Sequence, residues 1–234
     1  MSIYAIGDLH LSLSPNIAKP MDIFGDRWFN HTERLKENWK QIIIHDDTVI
    51  IAGDISWGIK FEEAAYDLEW IDRLPGRKIC IKGNHDFWWS GINRLNRTYK
   101  TISFLQNNSI YLQSEDVYIC GSRGWITPDD EEFTEADKRV YRRELLRLEA
   151  SLKSAKSMDC EGEIIGFLHY PPVSRIDSFS GFMQLFEDYS VKEVYYGHIH
   201  GEDGFKNTIQ GEYYGTKYRL ISADYLNMKP LKVR

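Results

Sequence analysis

The sequence predicts an α/β fold built on a buried, largely parallel sheet, and three observations predict it. Short apolar runs rich in β-branched and aromatic residues recur at residues 3–6, 48–52, 78–81, 117–120, 163–168 and 193–196, each of strand length. Stretches of helical period separate the early ones, and strand–helix–strand alternation at this spacing implies βαβ units. The composition is that of a globular chain, with 42% hydrophobic and 27% charged residues in 234. That length allows one or two domains. With no repeats, no low-complexity segment and no Pro/Ser-rich linker, one domain spanning 1–234 is the expectation.

Each element has its own signal. After the first strand, Asn30 and Glu33 have the three-residue spacing of a capping box with Asn30 as the cap. Leu35, Trp39 and Ile42 then form an apolar stripe, which reads as a helix. Strand 48–52 is followed by a second stripe, Phe61, Ala64, Ala65, Leu68 and Ile71, ended by Pro75-Gly76. The middle of the chain differs, because residues 129–156 are highly charged. There Tyr141, Leu145, Leu148, Leu152 and Ala155 step by four and three, which predicts a long amphipathic helix at about 131–156. Its other face carries Arg139, Arg142, Arg143 and Arg147, either a solvated surface or an arginine-lined lid over an anionic substrate. Arg139, Arg142 and Arg143 are the substrate-binding candidates of that second reading. Residues 212–214 and 218–223 flank Gly215-Thr216-Lys217 and read as a hairpin.

Several classes are excluded. The longest run without Asp, Glu, Lys or Arg is 14 residues, 101–114, and it is polar, so no transmembrane helix fits. A net charge of −6 and a pI of about 5.7 argue against a general nucleic-acid coat, though a local basic groove stays open. Met1-Ser2-Ile3-Tyr4-Ala5 has neither a basic n-region nor an apolar h-region. Cys80, Cys120 and Cys160 are odd in number, widely spaced and without a C-x-x-C. They read as buried thiols in a reducing cytoplasm rather than as disulfides or a thiolate metal site.

The chemistry gathers where strands end. Strand 3–6 leads into Gly7-Asp8-Leu9-His10, strand 48–52 into Gly53-Asp54, and strand 78–81 into Gly83-Asn84-His85-Asp86. Glycine permits a sharp turn or a close approach, and the carboxyl ends of parallel strands are where open α/β sheets hold their ligands. Strand 163–168 ends at His169, and strand 193–196 at Gly197-His198-Ile199-His200. Residues two apart in extended chain project to one side, so Asp8 with His10, and His198 with His200, can face one site. Five of the seven histidines fall at strand ends, leaving only His31 and His45 elsewhere. One such histidine is ordinarily structural; five together with two aspartates and an asparagine point to a metal site.

The order D-x-H, G-D, G-N-H-D, a lone H, then G-H-x-H resembles the calcineurin-like, binuclear metallophosphoesterases, with motifs spanning residues 7–200. The resemblance implies a four-layer sandwich: two facing mixed β-sheets flanked by helices on both outer sides. It implies one metal held by Asp8, His10, Asp54 and His200, and a second held by Asp54, Asn84, His169 and His198, with Asp54 bridging. Two divalent ions bring four positive charges and the aspartates cancel two, leaving an excess for an anionic phosphate and a hydroxide. Oxygen and imidazole donors suit two divalent or trivalent transition-metal ions such as Mn, Fe, Zn or Ni. Two ions roughly 3.5–4 Å apart can clamp the attacking and leaving sides of an in-line displacement by a bridging hydroxide. The implied catalytic pair is His85, which donates a proton to the leaving oxygen or steadies the phosphoryl group, and Asp86, which orients it. The structural alternative for Asp86 is a helix N-cap.

Departures narrow the subgroup. Lys82 stands where the family's protein Ser/Thr phosphatases carry an arginine, and Ile55-Ser56-Trp57-Gly58 replaces their D-R-G run. Trp57 also stands where purple acid phosphatases carry a metal-binding tyrosine. The aromatic residues Trp57, Phe87, Trp88, Trp89, Trp125 and Tyr170 crowd the motifs, as packing that holds the ligands or as a platform for a base. The expectation is a cytoplasmic hydrolase of a phosphate mono- or diester. The alternatives are a nucleotide or nucleic-acid phosphodiesterase, or a non-catalytic scaffold, against which the complete ligand set and His85 argue.

Overall fold

Alternating strands and helices condense into four layers. The structure is a computed structural model and describes residues 1–158 and 162–234, so Cys160 lies outside the described residues. In chain order the elements are β1 (Ile3–Ile6), α1 (His31–Ile42), β2 (Thr48–Ala52), α2 (Phe61–Asp72), β3 (Arg77–Ile81), α3 (Ile92–Thr98), β4 (Ile102–Phe104), β5 (Ile110–Leu112), β6 (Val117–Ser122), α4 (Glu135–Lys156), β7 (Glu163–Leu168), α5 (Gly181–Asp188), β8 (Glu193–Tyr196), α6 (Gly201–Lys206), β9 (Gly211–Tyr213), β10 (Thr216–Leu220) and β11 (Leu231–Lys232). One sheet has five strands in the order β11-β1-β2-β3-β4, and the other six in the order β5-β6-β7-β8-β10-β9. Strands β1 to β4 run parallel, as do β6, β7, β8 and β10, while β11, β5 and β9 pair antiparallel at or near the edges. This is the mixed two-sheet sandwich that the motifs implied.

Side-chain alternation builds the layers. Ile50 and Ala52 of β2 point inward and meet Ile165, Phe167 and Tyr195 of the other sheet. Val49 and Ile51 point outward and are covered by Leu35 and Trp39 of α1 and by Ala64, Leu68 and Ile71 of α2. On the far side Tyr118, Cys120, Leu168 and Tyr196 pack under Leu148 and Leu152 of α4 and Phe182 and Phe186 of α5. Strands covered on both faces read as continuous apolar runs, which is why β2 is buried at every position. Each fully buried aliphatic or aromatic side chain contributes about 1.5–3 kcal/mol, so these three cores dominate the stability. Cys80 and Cys120 are buried free thiols within them.

Local details differ from the sequence reading. Asn30 sits at the start of α1 in the left-handed region, φ 49°, and makes no side-chain cap; its own N–H donates to Asp22 Oδ1 at 3.1 Å instead. Helix α4 begins at Glu135 rather than near 131, because Thr134 caps it: Thr134 Oγ1 accepts the Asp137 N–H at 3.4 Å, and Asp137 Oδ2 accepts the Thr134 N–H at 3.0 Å. The hairpin turns on Tyr214-Gly215, not on Gly215–217; both have positive φ, 50° and 73°, and Thr216 pairs with Tyr213. Two such residues make the turn whose twist suits a hairpin, with tyrosine where asparagine would have marked it.

Candidate metal centre

Five strand ends build the site. Strand β1 delivers Asp8 and His10, β2 delivers Asp54, and β3 delivers Asn84, His85 and Asp86, all from one sheet; β7 and β8 of the other deliver His169, His198 and His200. Backbone bonds sew the five loops together: Asp8 N–H to Gly53 O at 2.9 Å, His10 N–H to Asp54 O at 2.9 Å, and Gly197 N–H to His169 O at 3.0 Å.

The glycines of the motifs are explained by this crowding. A Cβ on Gly53 would lie 2.6 Å from His169 Nδ1, one on Gly83 would overlap the Asp54 backbone nitrogen, and one on Gly197 would overlap the Asp8 carboxylate. Each glycine therefore leaves room for a site residue of a neighbouring motif. The site residues are themselves bent: Asp8, His10, Asp54 and His198 have φ of 59°, 45°, 47° and 71°. Non-glycine residues in that region are uncommon and cluster where function holds them.

Donor atoms converge in two groups, Asp8 with His10 and His200, and Asp54 with His169 and His198, each within 4.8 Å internally. Asp54 Oδ2 faces both, lying 3.4 Å from His169 Nε2 and 3.8 Å from His10 Nε2. Asn84 Oδ1 lies 2.7 Å from His169 Nε2. Burial pushes His198 down to about 3 and His10 well below the imidazole range, so both rings keep a free lone pair at neutral pH. Burial pushes Asp8 up to about 6. At His169 burial works downward, but the Asp54 carboxylate overrides it and raises the imidazole to about 9. Asp54 in turn stays ionised despite burial, held well below the carboxylate range by His169 and His10. In the protein alone, a proton on His169 balances Asp54, and His10 and His200 face each other Nε2 to Nε2 at 3.4 Å. Inward-facing nitrogens and carboxylates of this kind fit two cations, which would displace that proton.

Outer partners fix the donors. His169 Nδ1 bonds Ala52 O at 3.0 Å, and His200 Nδ1 bonds Asp224 Oδ1 at 2.9 Å, leaving each Nε2 to face inward. Asp224 follows β10 and was missed in the sequence, because no glycine marks that strand end. Asp86 differs from both sequence readings. Its fully buried carboxylate accepts N–H groups from Ile55 (2.9 Å), Ser56 (3.3 Å), Gly83 (2.7 Å) and the Trp88 indole (3.1 Å), and none from His85. It clamps the Asp54 loop to the Asn84 loop, so its effect on His85 is indirect. The aromatics pack: Trp57 stacks on His10 at 4.8 Å, Tyr170 on His198 at 3.9 Å, and Trp28 sits edge-on to His10 and His200. Arg123 accepts the His169 N–H on its carbonyl at 3.1 Å while its guanidinium pairs with the buried Glu144 of α4 at 3.1 Å.

Asp67 of α2 supports the same loops. It is fully buried and accepts the Leu13 N–H at 2.8 Å and the Ser56 hydroxyl. Burial raises its carboxyl to about 6. A carboxyl raised above its unfolded value contributes stability that is full below that value and lost as pH rises through about 6. Asp67→Asn can accept the Leu13 N–H on its amide oxygen and donate to Ser56 Oγ from its amide nitrogen, without titrating. Relative to wild type it should therefore gain about 2–2.5 kcal/mol between pH 4 and pH 7.5. Urea unfolding at the two pH values checks this; an identical difference at both would show that Asp67 does not titrate there.

A cavity of about 670 Å³ opens from the centre and is lined by His10, Asp54, His85, His198 and His200. Arg139, Arg142 and Arg143 do not line it. Arg139 and Arg142 lie on the outer surface of α4 beside Glu135 and Lys138, and Arg143 lies 3.5 Å from Glu144. The cationic face of α4 thus partly neutralises its own buried glutamate, which also pairs with Arg147 at 3.0 Å. Among the described residues, no helix is long and apolar enough to cross a membrane.

Comparison with known proteins accords with this architecture. The family model of the calcineurin-like phosphoesterases matches residues 1–202. The Gene 66 protein of Mycobacterium phage L5 is 45% identical over 56 residues, 24% of this chain and 27% of that protein. The Gene 66 protein of Mycobacterium phage D29 is 36% identical over 86 residues, 36% of this chain and 40% of that one. The matches thus span less than half the length of these curated relatives. The fold is similar to that of the phosphopantetheinyl hydrolase PptH from Mycobacterium tuberculosis, with a TM-score of 0.57 and 13% identity over 99% of this chain and 95% of that one.

Proposed function

The chain belongs to the calcineurin-like phosphoesterase family, metal-dependent hydrolases of phosphate esters, and on that premise we propose that it cleaves a phosphate mono- or diester at this centre. The observation that carries the reading is the convergence of two carboxylates and four imidazoles from both sheets in two adjoining groups, of which Asp54, His10, His198 and His200 line one cavity. Asp8, His10 and His200 would hold one ion, Asn84, His169 and His198 the other, and Asp54 both. When bound, the two ions supply Lewis-acid stabilisation of the phosphoryl oxygens and an activated water; the donor set suits Mn, Fe, Zn or Ni. His85 is partly open to the cavity, with Nε2 4.0 Å from Asp54 Oδ2, and is placed to hydrogen-bond a phosphate ester and pass a proton to its leaving oxygen. The buried reduced thiols of Cys80 and Cys120 favour a reducing compartment such as the cytoplasm.

Metal-reconstituted protein should hydrolyse p-nitrophenyl phosphate or bis(p-nitrophenyl) phosphate, lose that activity on chelation and regain it on metal addition. The faster of the two substrates separates monoesterase from diesterase. Protein that binds two ions and cleaves neither would be a scaffold, and the proposal would fall.

A further inference from the structure

Resting on the phosphoesterase reading above, we infer that the substrate is a phosphate ester with a single anionic group and a flat apolar leaving group that lies against Met21, Phe24 and Trp57. The cavity of about 670 Å³ has the size of sites for drug-sized ligands, far more than a bare phosphate fills. One wall comes from the segment between β1 and α1, which contributes Met21 and Phe24, and from Trp57 after β2. That wall is apolar to the end, because the one polar atom of Trp57, its indole N–H, is turned to Met21 Sδ at 3.3 Å. Phe24 is 64% exposed, an aromatic ring at the mouth of a polar centre with most of its surface uncovered. The ring of Trp57 lies 4.5 Å from that of His85. An alcohol that received its proton from His85 would therefore emerge onto this wall.

The charged part of the lining argues for one anionic group. It carries Asp26, Glu202 and Asp224. Arg27, the cation there, is already committed: it pairs with Glu202 and donates to Asp224 O at 3.2 Å and Asn227 Oδ1 at 3.3 Å. Lys19 lies over the Trp57 ring, 5.2 Å from its centroid, and does not line the cavity. A second phosphate reaching those residues would meet carboxylates with no uncommitted cation among the described lining residues.

The test pairs rate with binding. 2-Naphthyl phosphate and phenyl phosphate have leaving groups of similar acidity, so kcat/KM should favour the naphthyl ester by roughly tenfold or more through apolar burial. Calorimetry on the metal-reconstituted protein should show the same preference for 2-naphthylmethylphosphonate over methylphosphonate. A naphthyl probe bearing a second phosphonate should bind more weakly than the single one. Phe24 is exposed, so Phe24→Ala should fold normally and bring both ratios down toward one. Hydrolysis with no naphthyl preference, or a preference that survives Phe24→Ala, would overturn the inference alone. Preferential phosphonate binding without hydrolysis of any ester would instead sink the phosphoesterase reading and leave the apolar wall standing.

Discussion

Asp54→Ala should hold fewer than two metal ions per chain and lose phosphoesterase activity by more than the 10–100-fold typical of removing a residue that only supports a ligand. Asp54 is 2% exposed, its Oδ1 accepts the His85 N–H at 2.8 Å, and its Oδ2 faces His169 and His10. Without it, the imidazoles of both groups converge with no shared anion, and two cations would repel across the gap. Asp54→Asn keeps the shape and the bond from His85 while removing the charge, so it guards against a trivial loss of folding. Elemental analysis of both variants, with circular dichroism as the check on fold, decides the matter. Two tightly held ions in Asp54→Asn would show that Asp54 is not the bridge.

His85→Ala should keep both ions and lose about 10²–10⁴ in rate on alkyl phosphate esters, on the order of 3–5 kcal/mol in the barrier. p-Nitrophenolate departs without a proton, so p-nitrophenyl esters should lose much less. Burial holds His85 below the ordinary histidine range. Its proton-donating form therefore fades as pH rises through that lowered value. Wild-type rates on alkyl esters should decline on that alkaline limb, and the variant should be flat there. Measuring kcat/KM against leaving-group pKa for both proteins gives the answer. Equal losses at every leaving group would assign His85 to phosphoryl stabilisation, and lost metal would make it a ligand.

Much of this was legible because buried parallel strands and chelating residues both leave strong local patterns. Strands β1, β2, β7 and β8 are apolar runs covered on both faces, and each ends in donors within four residues. Strands β4, β5 and β11 were not foreseen; they are two or three residues long and exist through pairing with distant partners rather than through their own periodicity. The same holds around the site. Asp224 finds His200 across 24 residues, and Asp67 finds Leu13 across 54, distances over which no sequence spacing speaks. Asp86 shows the opposite failure. Adjacency to His85 suggested a partner, but the backbone turns its carboxylate toward four other donors. Of the arginines of α4, Arg143 and Arg147 have their counter-charge in Glu144 on the same helix.

The pairing of β11 with β1, Tyr4 opposite Lys232 and Ala5 opposite Leu231, sets a timetable for the birth of the protein. During translation β11 emerges about 230 residues after β1, a delay of roughly 10–50 s at 5–20 residues per second. Through that interval one edge of β1 has no strand to pair with, and its four residues are among the most apolar in the chain. An open apolar edge is the template on which chains misassemble. The same late stretch carries Asp224 and closes Gly7 against Ile221, with the Gly7 N–H donating at 2.7 Å. The stretch that covers the edge of β1 is thus also the one that brings Asp224 to His200, and both leave the ribosome last.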